Sequence, residues 1–204
     1  LSNSFAERVK LSLAPDADIS IESAFRLSPS PQPVEVVDDE ILLGVLHATR
    51  PLSVLIQFQV PKEIEPGSRS LIRVQASGDI LGSQRSLTRH YLVANDLSLS
   101  VSREDADDEP PAAILNALSK LTLYRLQERA NHALDQGNYA EATRRLENLA
   151  TRLLEMGHEA LANETLSEVQ RVKVTRGLSD EGKKKIKYQT RFLLASENNS
   201  RQDD

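Results

Sequence analysis

The sequence predicts an α+β protein: an antiparallel β-sandwich over residues 1–102, then a bundle of about four helices over residues 112–196. Three observations predict it. Before residue 103 apolar residues recur mostly at every second position, the period of a strand with one buried face. After residue 111 they recur at every third or fourth position, the period of an amphipathic helix. Between them lies Arg103–Pro111, with five acids and two prolines, too charged to bury and unable to continue a strand, which predicts an exposed seam between two modules.

Within the first module, Val9, Leu11 and Leu13 alternate until Pro15-Asp16, and Ile19 and Ile21 alternate towards Phe25 and Leu27. Upstream of them, Phe5, Ala6 and Val9 have the spacing of the last turns of a helix, so the chain reads as a fragment whose preceding domain lies outside it. A Pro/Ser loop follows at Ser28–Pro33, then an extended piece starting at Val34, Val36 and Val37, and a short apolar run Ile41–Leu46 around Gly44. The clearest strand is Leu52–Val60, whose Leu52, Val54, Ile56, Phe58 and Val60 share one face before Pro61 and Pro66-Gly67 supply turn chemistry. Leu71–Ala76, Ser86–Val93 and Leu97–Val101 complete the set, separated by Gly78–Gly82 and by Asn95-Asp96. Short strands with regular turn signals fit a sandwich.

In the second module Ile114, Leu118, Leu121, Leu126, Ala130, Ala133 and Leu134 mark a first helix, with Pro111 at its start, where a missing N–H costs nothing. Gly137 suits the left-handed residue beyond its end and Asn138 the next N-cap. The second helix, Tyr139–Met156, carries Ala142, Leu146, Leu149, Ala150, Leu153 and Leu154 on its buried side and stops at Gly157. The third, from His158 towards Arg176, carries Leu161, Leu166, Val169 and Val172, and Gly177 is expected to end it. Ser179 then caps a fourth helix, with Asp180 and Glu181 in the first turn, where the helix dipole favours acids, and with Ile186, Thr190 and Leu193 on one face, flanked by Tyr188 and Phe192. The polar tail 197–204 predicts disorder. The hairpin Ala133–Gly157 resembles a tetratricopeptide unit, but such repeats need several copies to bury their faces.

Composition narrows the function by exclusion. A net charge of −5 and 4 % aromatics, with no Trp, argue against nucleic acid as the main partner. The absence of Cys removes disulfides, thiolate metal sites and Cys nucleophiles. Neither a secretory signal nor an apolar stretch long enough to cross a bilayer is present in these residues, which points to a cytoplasmic protein.

Candidate metal and catalytic groups are few. Asp18-Ile19-Ser20-Ile21-Glu22 matches an Asp-x-Ser-x-Ser metal loop except at its fifth residue, and it lies within an alternating strand. His47, His90, His132 and His158 lack ligand spacing and read as surface or cap residues. Asp105, Asp107, Asp108 and Glu109 lack the Gly and distal Glu of a calcium loop. No phosphate loop, nucleophile elbow or pair of carboxylates in an apolar setting is present, so the expectation is a non-enzymatic chain without cofactor or metal. One charge feature stands out. Arg171, Lys173, Arg176, Lys183, Lys184, Lys185, Lys187 and Arg191 face only Asp180 and Glu181 between residues 171 and 191, an excess of six positives. A solvated helix face accounts for it, and a docking patch formed by Lys183, Lys184, Lys185, Lys187 and Arg191 is the sharper alternative.

A family resemblance runs through the chain. Leu43-Gly44-Val45-Leu46, the strand Leu52–Val60 ending in Val60-Pro61, and Leu123-Tyr124-Arg125-Leu126-Gln127-Glu128-Arg129-Ala130 resemble the C-terminal region of bacterial von Willebrand factor type A (VWA) proteins. Gly137-Asn138-Tyr139, Ala142-Thr143, Leu146, Leu153 and Gly157 are similar too, as are Leu178-Ser179, Gly182-Lys183-Lys184 and Tyr188-Gln189-Thr190-Arg191. The resemblance implies a β-sandwich and helical segment following a metal-binding A domain whose ligands have no counterpart in this chain. It further implies an accessory, protein-interaction role, with an upstream VWA domain among the partners. The alternative is an electrostatic module that applies its basic last helix to a membrane surface or nucleic acid.

Overall fold

A computed structural model describes residues 4–82, 89–104 and 109–196, with side chains to Leu193. Ser86–Thr88 of one expected strand, the seam acids Asp105, Asp107 and Asp108, and the expected tail lie outside the described residues. The chain divides into two compact units between Glu109 and Pro110, and each is taken by itself.

The first unit holds two antiparallel sheets built from β1 (Ser4–Pro15), β2 (Ser20–Ser28), β3 (Gln32–Val34), β4 (Glu40–His47), β5 (Ser53–Gln59), β6 (Gly67–Ile80) and β7 (Arg89–Val101). One sheet runs β4-β1-β6-β7 and the other β3-β2-β5. They share an apolar cluster of Leu13, Ala24, Ile41, Leu43 and Ile72, to which Leu52, Val54, Ile56 and Phe58 add the expected face of β5. Val60 lies past the strand end and is exposed.

Four local expectations need correction. Phe5, Ala6 and Val9 belong to β1, not to a helix, because β1 is paired on both sides, with β4 and with β6. Their uneven spacing comes from bulges: the register shifts around Ala6 and Val9, and Arg8 takes a positive φ of 52°. Secondly, β3 ends at Val34, where an extended piece was expected to start. Asp38 and Asp39 then adopt φ of 50° and 59° in a tight turn closed by the reciprocal bonds of Val37 and Glu40, the geometry of a primed hairpin turn.

Thirdly, β7 passes straight through Asn95-Asp96, which the sequence marks as a turn. Asn95 pairs with Val74 and Asp96 with Arg73, and two hydrogen bonds of 2.6 and 2.8 Å from the Arg73 guanidinium hold the Asp96 carboxylate on the strand. The fourth is Gly78, an expected break that lies inside β6. A Cβ there would stand 3.1 Å from Val9 Cγ2 and 3.3 Å from the Glu7 carbonyl oxygen, so the glycine admits the bulged β1 backbone.

The second unit comprises α1 (Ala112–Asp135), α2 (Tyr139–Glu155), α3 (Glu159–Thr175) and α4 (Asp180–Ser196). Consecutive helices pack together and α1 also meets α4, as short connections require. None of the helices is long and apolar enough to cross a membrane. Local chemistry ends the first three helices. Gly137 and Gly157 take φ of 71° and 80° just beyond α1 and α2, and the Asn138 side chain accepts from the Glu141 N–H. At the end of α3 the left-handed residue is Arg176, φ 57°, one position before the expected Gly177.

The core consists mainly of Ala130, Ala142, Leu146, Leu149, Leu153, Ala162, Val169 and Val172, each nearly devoid of solvent contact. Burial of each larger aliphatic contributes about 1.5–3 kcal/mol. In α1 the expected Leu121, Ala130 and Ala133 are buried, but Ile114 and Leu118 are exposed, and Lys120, Leu123, Tyr124 and Gln127 are buried beside the expected stripe. Leu154 and Leu166, expected inside, are exposed as well, and Thr165 fills the α3 position beside Leu161, its hydroxyl donating to the Leu161 carbonyl at 2.7 Å.

Candidate functional site

The basic residues singled out in the sequence lie on α4, and its first turn is tied to α3. Ser179 Oγ accepts from the Gly182 N–H at 2.8 Å and donates to Glu168 Oε1 at 2.7 Å, while the Ser179 N–H reaches Glu168 Oε2 at 2.8 Å. Glu168 is buried, so the carboxylate joins the N-cap to the neighbouring helix where water competes little. From this start the 3.6-residue period turns Ile186 and Thr190 into the core and leaves Lys183, Lys184, Tyr188 and Phe192 exposed.

Several of the cations face carboxylates of their own unit. Lys185 Nζ lies 2.6 Å from Glu164 on α3, Lys173 Nζ 2.9 Å from Glu147 on α2, and Arg191 Nη2 3.9 Å from Glu128 on α1. Arg171 stands 3.6 Å from Glu168. The hydrogen bond to Glu164 holds the Lys185 ammonium above the usual lysine range. Lys183 and Lys184 remain exposed and Lys187 half-buried. The excess of positives seen along the sequence is thus largely offset in space by acids on α1, α2 and α3.

Beside Phe192 lies an open groove of about 640 Å³, lined by Leu161, Phe192 and Leu193 and by the polar side chains of His158, Glu159 and Gln189. It joins the α2–α3 turn to the C-terminal half of α4. Sequence reasoning placed Tyr188 and Phe192 only as flanks of the α4 stripe.

A second cluster, on the β unit, escaped the sequence. Asp79 on β6 is buried and accepts from the Arg8 guanidinium at the β1 bulge and from His90 Nδ1 on β7, at 3.0 Å. A carboxylate can only accept, so Nδ1 carries the proton. His90 and then Arg8 hold the Asp79 carboxyl below the usual carboxylate range. The cluster floors a cleft of about 530 Å³ lined by Val9, Lys10, Leu42 and Gly44. It binds three strands through one carboxylate, and its parts are 71 and 11 positions apart in sequence, beyond any local motif.

The sign of its pH dependence follows from the depressed value. The contribution of Asp79 to stability is present above its unfolded pKa, near 3.9, and is lost as pH falls through the lower folded value. Asp79→Asn should therefore destabilise the β unit at neutral pH, and the gap from wild type should close below about pH 4. Urea titrations at pH 7 and pH 3 measure it, and a gap that is unchanged at pH 3 would refute the assignment.

The other candidates do not assemble. Asp18 is paired with Arg69, Ile19 is buried, and Ser20 and Glu22 face solvent. Among the described residues no group of three or more His, Asp or Glu side chains is placed to share a metal ion.

Residues 112–196 match the family model described as "Sll0103-like, C-terminal alpha-helical domain". No curated protein matches the chain. Among solved structures, a von Willebrand factor type A protein from Catenulispora acidiphila superposes with a TM-score of 0.61 at 17 % identity, over 80 % of this chain and 39 % of that one. The ArnB paralog VWA2 from Sulfolobus acidocaldarius covers 94 % of this chain and 43 % of its own at 14 % identity, but its TM-score of 0.41 carries no argument. The chain thus spans well under half the length of either structure, and likeness at such identities bears on the fold alone.

Proposed function

We propose that this chain is a non-enzymatic, accessory protein-interaction region of a VWA-type protein, and that a VWA domain is its partner. The fold it shares with the Catenulispora acidiphila protein and the family match of its helices support the connection. The observation that carries the interaction reading is the pair Tyr188 and Phe192, 65 % and 70 % exposed one turn apart on α4, of which Phe192 lines a groove together with Leu161 and Leu193. Large aromatics are enriched at interface centres, and leaving two of them in water costs free energy that a partner recovers.

The electrostatic alternative, with Lys183, Lys184, Lys185, Lys187 and Arg191 as the docking patch, has less support, since Lys185 and Arg191 already face Glu164 and Glu128. Calorimetry separates the two. The chain titrated with a VWA domain of the same organism should bind saturably, with little dependence on salt, and Tyr188→Ala/Phe192→Ala should weaken binding by at least tenfold, as loss of central aromatics does. No binding, or binding only to anionic vesicles or nucleic acid with a steep loss in salt, would reject the proposal.

A further inference from the structure

We infer that β7 is a self-association edge: two copies of this chain pair their β7 strands antiparallel, about a two-fold axis at Asn95, into one continuous sheet. The inference is independent of the VWA reading. Among the described residues β7 pairs with β6 and stands at the end of its sheet. It is 13 residues long, contains no proline, and presents a row of unmatched backbone donors and acceptors.

Two of the other sheet ends are blunted. β3 is three residues long and includes Pro33, and β4 is broken by register shifts and by Gly44 at φ 81°, while β5 at the remaining end has seven residues, about half the length of β7. β7 is thus the longest of the sheet ends, with no proline to blunt it.

Its side chains are exposed in a pattern that chooses the partner. Leu97, Asn95, Val93 and Tyr91 lie opposite Ile72, Val74, Ala76 and Gly78, so they share the core-facing side of the sheet with buried Ile72. The facing sheet has three strands to this sheet's four, and Val93 and Leu97 remain 67 % and 43 % exposed.

Hydrogen bonding then limits the registers of a symmetric pair. Residues whose N–H and C=O point outward recur at every second position and must oppose residues that do the same, so the axis passes through a residue and not between two. An axis at Asn95 overlaps all 13 residues. It sets Tyr91 against Leu99 and Val93 against Leu97 on one face, and Leu92 against Ser98 on the other. Moving the axis to Ala94 places Leu92 against Asp96 and leaves both ends unpaired. The apolar face is thus self-complementary about Asn95.

The chain contains no cysteine, so single thiols report the geometry without background. Across the axis, the two Asn95 Cα atoms would be about 4.5–5.5 Å apart, within disulfide reach. Asn95→Cys treated with oxidised glutathione should give a covalent dimer, and a mixture of Tyr91→Cys and Leu99→Cys chains should cross-link as well. Ser100→Cys, whose two copies would be about 33 Å apart, should not. By sedimentation the wild type should be dimeric and Val93→Lys/Leu97→Lys monomeric with unchanged circular dichroism, both sites being exposed in the single chain. A chain that is monomeric at every concentration, one that accepts a foreign extended peptide instead, or a dimer that cross-links at Ser100 and not at Asn95 would each overturn the inference.

Discussion

Gly182→Ala will destabilise the helical unit by about 2–4 kcal/mol, although alanine is the better helix former by about 0.5–1 kcal/mol. A Cβ at this position would fall 2.6 Å from Glu168 Cγ and closer still to Cδ and Oε1. Glu168 cannot swing away without cost, because its carboxylate accepts from both the N–H and the hydroxyl of Ser179 and is itself buried. The methyl group therefore displaces α4 or breaks two hydrogen bonds to a charged acceptor, each worth about 1.5–3 kcal/mol. A double-mutant cycle isolates the cause: on a Glu168→Ala background the clash is gone and Gly182→Ala should be close to neutral. Urea denaturation followed by helical circular dichroism gives all four stabilities. A wild-type background in which Gly182→Ala is stabilising would mean that α3 and α4 do not meet at this point.

The same joint shows which parts of the structure are legible in sequence. The caps were read correctly at Gly137, Asn138, Gly157 and Ser179 because each is settled by bonds within about three residues, such as Ser179 Oγ accepting from the Gly182 N–H. What lies one helix away was not legible. Glu168 reads as an ordinary surface acid in the sequence of α3, and only the packing of α4 makes it a buried acceptor. Similarly Asn95-Asp96 has the composition of a turn, and Arg73, 23 positions earlier, holds it extended. In α1 the buried row contains Lys120 and Gln127 beside Leu121, Ala130 and Ala133, so a hydrophobic pattern finds only part of the buried face.

The basic patch shows the limit most clearly for the candidate site. A count along residues 171–191 gives an excess of positives, whereas Glu128, Glu147 and Glu164 lie outside that window and approach only through the packing of α1, α2 and α3. Tyr188 and Phe192 read in the sequence only as flanks of the α4 stripe, and their exposure depends on which face of α4 the core takes. The general architecture was more robust, since the change of hydrophobic period at the seam needs no tertiary contact to be seen.

Ile186→Ala is the second large effect, expected to cost about 2–4 kcal/mol as truncation of a buried aliphatic does. Ile186 is 3 % exposed and Thr190 fully buried, and together they form most of the narrow stripe that holds α4 against α1 and α3. Leu193 is only half-buried, so Leu193→Ala should cost less than Ile186→Ala. Lys184→Glu/Lys187→Glu should change stability by less than about 1 kcal/mol, because charges facing solvent contribute little to folding. The double reversal is therefore a clean instrument for function: it removes two positive charges from α4 and adds two negative ones, lowering its net charge by four, while the helix stays docked. Stability is read from thermal melts, and binding from titration with the VWA domain and with anionic vesicles. If the reversal unfolds α4 while Ile186→Ala is silent, the helix is held by its charges and its faces are inverted. If stability follows the expected order and binding to the VWA domain survives the reversal, α4 docks through Tyr188 and Phe192, and its lysines serve solvation.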